Sequence, residues 1–199
     1  MKSITQFAFA MLIATLMLAA FPTDAEAEIY EDTIRLHILA NSNSAEDQKL
    51  KIAIRDKLLL EYGDVLCASG SFEQAKLTTN ELLPEIERVA EAWIKELGFD
   101  YSVRATLTVE WYETREYDTF ALPAGYYTSL RVIIGNGEGQ NWWCVMYPPL
   151  CTEIACEKSP ADEGIVDYSR EEILLIKSGK YNVKFKILEE LSRAFAKNG

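Results

Sequence analysis

Ile34-Arg35-Leu36-His37-Ile38-Leu39-Ala40, followed by Asn41-Ser42-Asn43-Ser44 and then by Leu50, Ala53, Ile54 and Leu58, is the stretch on which the fold class turns. Ile34, Leu36 and Ile38 alternate with Arg35 and His37, and a period of two means a strand with one buried face. The polar run after it consists of side chains that hydrogen-bond nearby backbone, with Ser44 placed as a helix N-cap. The apolar series beyond has helical spacing and predicts about four turns, with Gly63 as the stop.

Further along, Ser71-Phe72-Glu73-Gln74 fits a capping box that opens a second helix. Pro84 is expected to bend or restart that helix, because it cannot donate to the preceding turn. Ile86, Val89, Ala90, Trp93 and Leu97 continue the helical period, and Gly98 closes it. The period then returns to two: Val103, Ala105, Leu107, Val109 and Trp111 take one side, Arg104, Thr106, Thr108 and Glu110 the other. Tyr126 to Ile134 repeats the pattern, Gly135-Asn136-Gly137-Glu138-Gly139 follows, and Asn141 to Met146 is read as the second arm of a hairpin. Residues 152–168 read as a long polar loop, Ser169-Arg170-Glu171-Glu172 as a cap, and Ile187, Leu188, Leu191, Ala194 and Phe195 as a last amphipathic helix. This order predicts an α+β, two-layer sandwich, a mainly antiparallel sheet packed against helices, as a single domain over 28–199.

Of the 199 residues, 49% are hydrophobic and 26% charged, the composition of a folded globular chain. Twenty basic against 31 acidic residues give a net charge of -11, which argues against nucleic acid and anionic lipid as partners. Phe7 to Phe21 carries no charge, follows Lys2 and leads into Asp24-Ala25-Glu26-Ala27, matching a signal peptide over 1–27. Cleavage after Ala27 would leave 172 residues with net charge -10, since Lys2, Asp24 and Glu26 go with the leader. The rival reading is an uncleaved anchor over 4–21, at the short end of what spans a bilayer. Both place the bulk of the chain outside the cytosol that makes it.

Export makes disulfides admissible for Cys67, Cys144, Cys151 and Cys156, which allow three complete pairings. Cys144 and Cys151 bracket Pro148-Pro149, which can turn the chain towards bridging distance, and closing so short a loop is worth roughly 2.5 kcal/mol. His37 is the only histidine. As a base it could serve Cys144 as a thiolate nucleophile, and a disulfide at Cys144 would remove that thiol. Zinc is disfavoured by the absence of any Cys-x-x-Cys unit, and no calcium-loop pattern occurs. The glycine run lacks the lysine and helix of a phosphate loop. Carboxylate pairs for glycoside hydrolysis cannot be assigned from spacing. No cofactor and no small-molecule substrate are expected. Trp142 and Trp143 point to opposite faces of a strand, so one can join the core while the other stays partly exposed beside Tyr147, Pro148 and Pro149 as a binding anchor.

Leu36-His37-Ile38-Leu39-Ala40-Asn41-Ser42-Asn43-Ser44, Asp47-Gln48-Lys49-Leu50-Lys51, Arg55-Asp56, Pro123-Ala124-Gly125-Tyr126 and Asn141-Trp142-Trp143-Cys144-Val145-Met146-Tyr147-Pro148-Pro149-Leu150-Cys151 resemble, in this order, stage II sporulation protein R of endospore-forming bacteria. The resemblance covers Leu36 to Cys151 and departs at Asn43, where aspartate is usual, and Tyr147, where phenylalanine is common. It implies a signal made in the forespore and exported to the space between the forespore and mother-cell membranes. There the family triggers a membrane-embedded aspartic-type protease of the mother cell, which processes the precursor of sporulation sigma factor E. On that footing the expected binding residues are Trp142, Trp143, Tyr147, Pro148, Pro149, Pro123, Tyr126 and Asn41, held by a Cys144 to Cys151 bridge. The enzymatic alternative is a thiol hydrolase of envelope material using Cys144 and His37.

Overall fold

The structure is a computed structural model that describes residues 2–18, 29–117, 121–148 and Ile176. Its elements are α1 (Lys2–Leu18), β1 (Ile34–Leu39), α2 (Ala45–Cys67), α3 (Phe72–Glu96), β2 (Val103–Tyr112), β3 (Arg115–Glu116), β4 (Ala121–Leu122), β5 (Gly125–Ile134) and β6 (Asn141–Tyr147). They belong to two compact units. One comprises 30–110 and 126–167, the other 1–29, 111–125 and 168–199. The second holds α1 and the short antiparallel pair of β3 and β4. Among the described residues no helix is long and apolar enough to cross a membrane.

The first unit is the expected α+β arrangement, helices against a mainly antiparallel mixed sheet. Strand order is β2-β5-β1-β6. β1 runs parallel to β5, with Leu36 opposite Leu130 and His37 opposite Arg131, and antiparallel to β6, with Leu36 opposite Cys144 and His37 opposite Trp143. β5 and β6 are therefore not the expected hairpin: β1 lies between them, and the glycine-rich segment crosses over the end of β1. The local signal of a glycine turn between two strands was present, but pairing is decided by which strand completes the buried face, a non-local matter.

One face of the sheet packs on the helices. Ile34, Leu36 and Ile38 from β1, Val103 and Ala105 from β2, Leu130, Val132 and Ile134 from β5, and Cys144 and Met146 from β6 join Leu50, Ile54, Leu58, Ile86, Ala90 and Ile94 in one core. A register shift opposite Ile34/Arg35 brings consecutive Met146 and Tyr147 both into that core, where strict alternation would send one outward.

The helices depart from expectation at both breakers. α2 runs through Gly63 to Cys67. A glycine within a helix costs about 1 kcal/mol, and burial of Leu58, Leu59 and Tyr62 just before it offsets that. α3 continues through Pro84 without restarting. Pro84 is exposed, and buried positions on both sides of it, Phe72 and Ala75 before and Ile86, Ala90 and Ile94 after, hold the two halves to one core. The caps follow expectation: Asp47 N donates to Ser44 Oγ at 3.1 Å and Gln74 N to Ser71 Oγ at 3.3 Å. Gly98 closes α3 with φ 86°, in the left-handed region that suits glycine. On β2 the apolar side is buried only as far as Leu107, which is half-buried; Val109 is exposed. The expected loop over 152–168, the cap at Ser169, the final helix, Pro149, Cys151 and Cys156 lie outside the described residues.

Candidate functional site

Where β1 ends, two of the motif stretches interlock. Asn41 Nδ2 and Ser42 Oγ both donate to Asp47 Oδ2, at 2.9 and 2.6 Å. Asn41 Oδ1 accepts from Asn136 N at 3.0 Å, and Asn43 Oδ1 accepts from Gln140 N at 2.8 Å. The backbone adds Glu138 N to Asn41 O and Gly139 N to Ala40 O. Lys51 Nζ, on a buried residue, donates to Gln140 O at 2.8 Å and Gln48 Oε1 at 2.7 Å. So close a fit explains the glycines. A Cβ on Gly139 would lie 2.3 Å from the Ser42 carbonyl oxygen, and Gly137 has φ 67° with Ile133 beside it.

The charges of this knot are set by the same contacts. Hydrogen bonds from Ser42 above all, then from Asn41, Tyr101 and Ser44, hold the Asp47 carboxyl below its ordinary value against the opposing effect of burial. Burial lowers the Lys51 ammonium and, with the bond to Asp47 and its charge, raises the Tyr101 hydroxyl.

The face of the sheet opposite α2 and α3 presents a different cluster. The register places Trp143, His37 and Arg131 in one row across β6, β1 and β5. Trp143 and His37 stack with ring centroids 5.5 Å apart and planes 24° apart. Glu110, from β2, reaches both cation-forming side chains: His37 Nδ1 lies 3.0 Å from its Oε2 and Arg131 Nε 3.6 Å from its Oε1. Burial pushes the Glu110 carboxyl up, but hydrogen bonds from His37 and Ser129, with the charges of His37 and Arg131, outweigh it and hold it below its ordinary value. Towards one end the face closes: Arg35, Tyr127 and Ser129 are fully buried, with the Arg35 guanidinium 5.0 Å from the Tyr127 ring centroid. Towards the other it opens, with the Arg131 side chain 38% exposed, Trp143 half-buried, and Arg104, Thr106 and Thr108 exposed.

The residues expected to form one aromatic and proline surface are dispersed. Trp142 and Trp143 do face opposite sides; Trp142 packs against the core with the Arg55 guanidinium 4.8 Å from its ring centroid. Tyr147 and Pro148 are buried, joined by a cis peptide bond, and Pro123 is buried too. Tyr126 is exposed. Both polar atoms of the Asn41 side chain are engaged inside the knot. His37 and Cys144 are not brought together: His37 faces away from α2 and α3, whereas Cys144 is 2% exposed in the core among residues packed on those helices. That geometry removes the dyad on which the thiol-hydrolase alternative rests. The bridge from Cys144 to Cys151 involves a residue outside the described ones. Sequence reading had missed Glu110 and Arg131 as site residues; both stand at outward positions of alternating strands, but only the strand order brings them to His37.

A family model described as stage II sporulation protein R matches residues 30–156, which take in both clusters. The chain belongs to the stage II sporulation protein R family. The stage II sporulation protein R of Bacillus subtilis (strain 168) is 38% identical over 123 residues, which are 62% of this chain and 55% of that protein. The chain thus matches little more than half the length of that curated relative. No solved structure matches it. Membership of the stage II sporulation protein R family points to a role in sporulation.

Proposed function

We propose that this chain is an exported signal of endospore formation. It leaves the forespore through the leader over 1–27, or stays tethered through 4–21, and reaches the intermembrane space. There it activates a membrane-embedded aspartic-type protease of the mother cell, which then processes the sigma factor E precursor. The observation that carries this reading is the family match across 30–156. A second support is physical. A ligand activates a protease only by binding its active arrangement more tightly than its inactive one, and the row of Trp143, His37 and Arg131 braced by Glu110 offers a preorganised, partly exposed surface for that contact.

The test is a reconstitution in a non-sporulating host that makes the protease, the sigma factor precursor and this chain. Processing is expected with the chain present and not without it. Trp143→Ala is expected to reduce processing while the exported protein remains folded. Processing that proceeds equally without the chain would sink the reading. Free-thiol titration and the mass of the exported product establish the state of Cys144 and of the leader.

A further inference from the structure

The two layers of the first unit differ in charge. α2 and α3 carry eleven acidic against seven basic side chains, whereas the four strands of its sheet carry Arg35, Arg104 and Arg131 against Glu110. In a chain of net charge -11, the sheet is the cationic layer of this unit. Arg35 is buried against Tyr127 and cannot meet a partner, but Arg104 is exposed and the Arg131 side chain is 38% exposed on the face opposite α2 and α3. Exposed Thr106 and Thr108 follow Arg104 on the same side of β2 and add no charge.

The bracing of Arg131 matters. Its Nε lies 3.6 Å from Glu110 Oε1, beyond hydrogen-bond length, while the shorter contact of Glu110 goes to His37 at 3.0 Å. Glu110 therefore orients the guanidinium without using up its donors, and the guanidinium fork matches a carboxylate in two-point geometry. From this we propose that the open end of the face opposite α2 and α3 docks an acidic segment of a partner protein, whose carboxylates are received by Arg104 and Arg131 beside Trp143. The charge balance favours a polypeptide segment over a membrane. A short segment senses the local field, which extends about 8 to 10 Å at ordinary ionic strength. An anionic bilayer meets the whole acidic molecule and is repelled by it. The inference rests on the reading of the chain as a signal received by a protein, and it names the chemistry of the surface that receives it.

The experiment uses the full chain and a fluorescently labelled peptide of alternating glutamate and threonine, with a glutamine-for-glutamate peptide as control. The glutamate peptide is expected to bind at low salt and weaken as salt is added, with amide shifts confined to β2, β5 and β6. Arg104→Gln with Arg131→Gln should lower affinity about tenfold, Lys at both positions should retain part of it, and Lys49→Gln with Lys95→Gln on the helix layer should leave it unchanged. Arg104→Gln alone, at an exposed position, should lower affinity about threefold, which keeps the test decisive if the double variant fails to fold. Equal binding of the two peptides, equal binding by the arginine variants, or preference for phosphatidylglycerol vesicles over the glutamate peptide overturns the proposal. Protease activation separates the two readings. A wild-type chain that binds the peptide on this face but activates no protease defeats the signal reading alone, whereas an arginine double variant that activates fully defeats this surface alone.

Discussion

The knot at the end of β1 and the row on the face opposite α2 and α3 sit at opposite ends of one scale. In the knot, Asn41, Ser42, Asn43, Asp47, Lys51 and the backbone of the glycine segment satisfy one another at 2.6 to 3.2 Å. In the row, Arg131 is held at 3.6 Å and remains more than a third exposed. Both regions lie within the family match. The difference teaches that a recognisable motif is not by itself a binding site: groups that satisfy each other internally are architecture, and charges oriented but not consumed are available for recognition.

Substitutions can break or sharpen this contrast, and the largest effect belongs to Gly139. Gly139→Ala forces a Cβ against the Ser42 carbonyl, and a loss of about 3 kcal/mol or more is expected in urea unfolding. Asp47→Asn follows, at about 2 kcal/mol, because two donors lose a charged acceptor. The same variant changes the acid limb of stability. The folded chain holds the Asp47 carboxyl below its ordinary value, so as pH falls the unfolded chain takes up its proton first. That stabilisation is full above about pH 4 and drains as pH drops through the folded value. Stability measured across this window should slope less steeply in Asp47→Asn, with Glu110, shifted in the same direction, supplying the slope that remains. Ser44→Ala removes the cap of α2 and should cost about 1 kcal/mol. Arg131→Gln should cost less than about 1 kcal/mol, as exposed ion pairs do, yet reduce protease activation in the reconstituted system. A large loss of stability in Arg131→Gln, or none in Asp47→Asn, would erase the distinction.

Much of the local design was legible. The alternation of Ile34 to Ala40 put His37 and Arg35 on one face, adjacent Trp142 and Trp143 had to diverge, and Ser44 and Ser71 marked the helix starts. Gly63 and Pro84 misled, because burial of Leu58, Leu59 and Tyr62 before the glycine, and on both sides of the proline, outweighs a local cost of one to a few kcal/mol, on the order of the intrinsic penalties. Tyr147 misled too, since a shift in register turned it inward.

By itself the sequence determined which side of a strand a residue occupies wherever the alternation runs unbroken, and where helices begin, because those properties depend on a few neighbouring residues. It also carried the family in its literal motifs. Tertiary structure alone decided that β1 enters between β5 and β6, and with that order it decided almost everything about the site. His37 meets Arg131 and Trp143 only through that insertion, and Glu110 joins them from a strand 73 positions away. Cys144 is taken to the opposite face by the same pairing. Strand order reflects which arrangement buries the apolar faces together, and no short-range period encodes that.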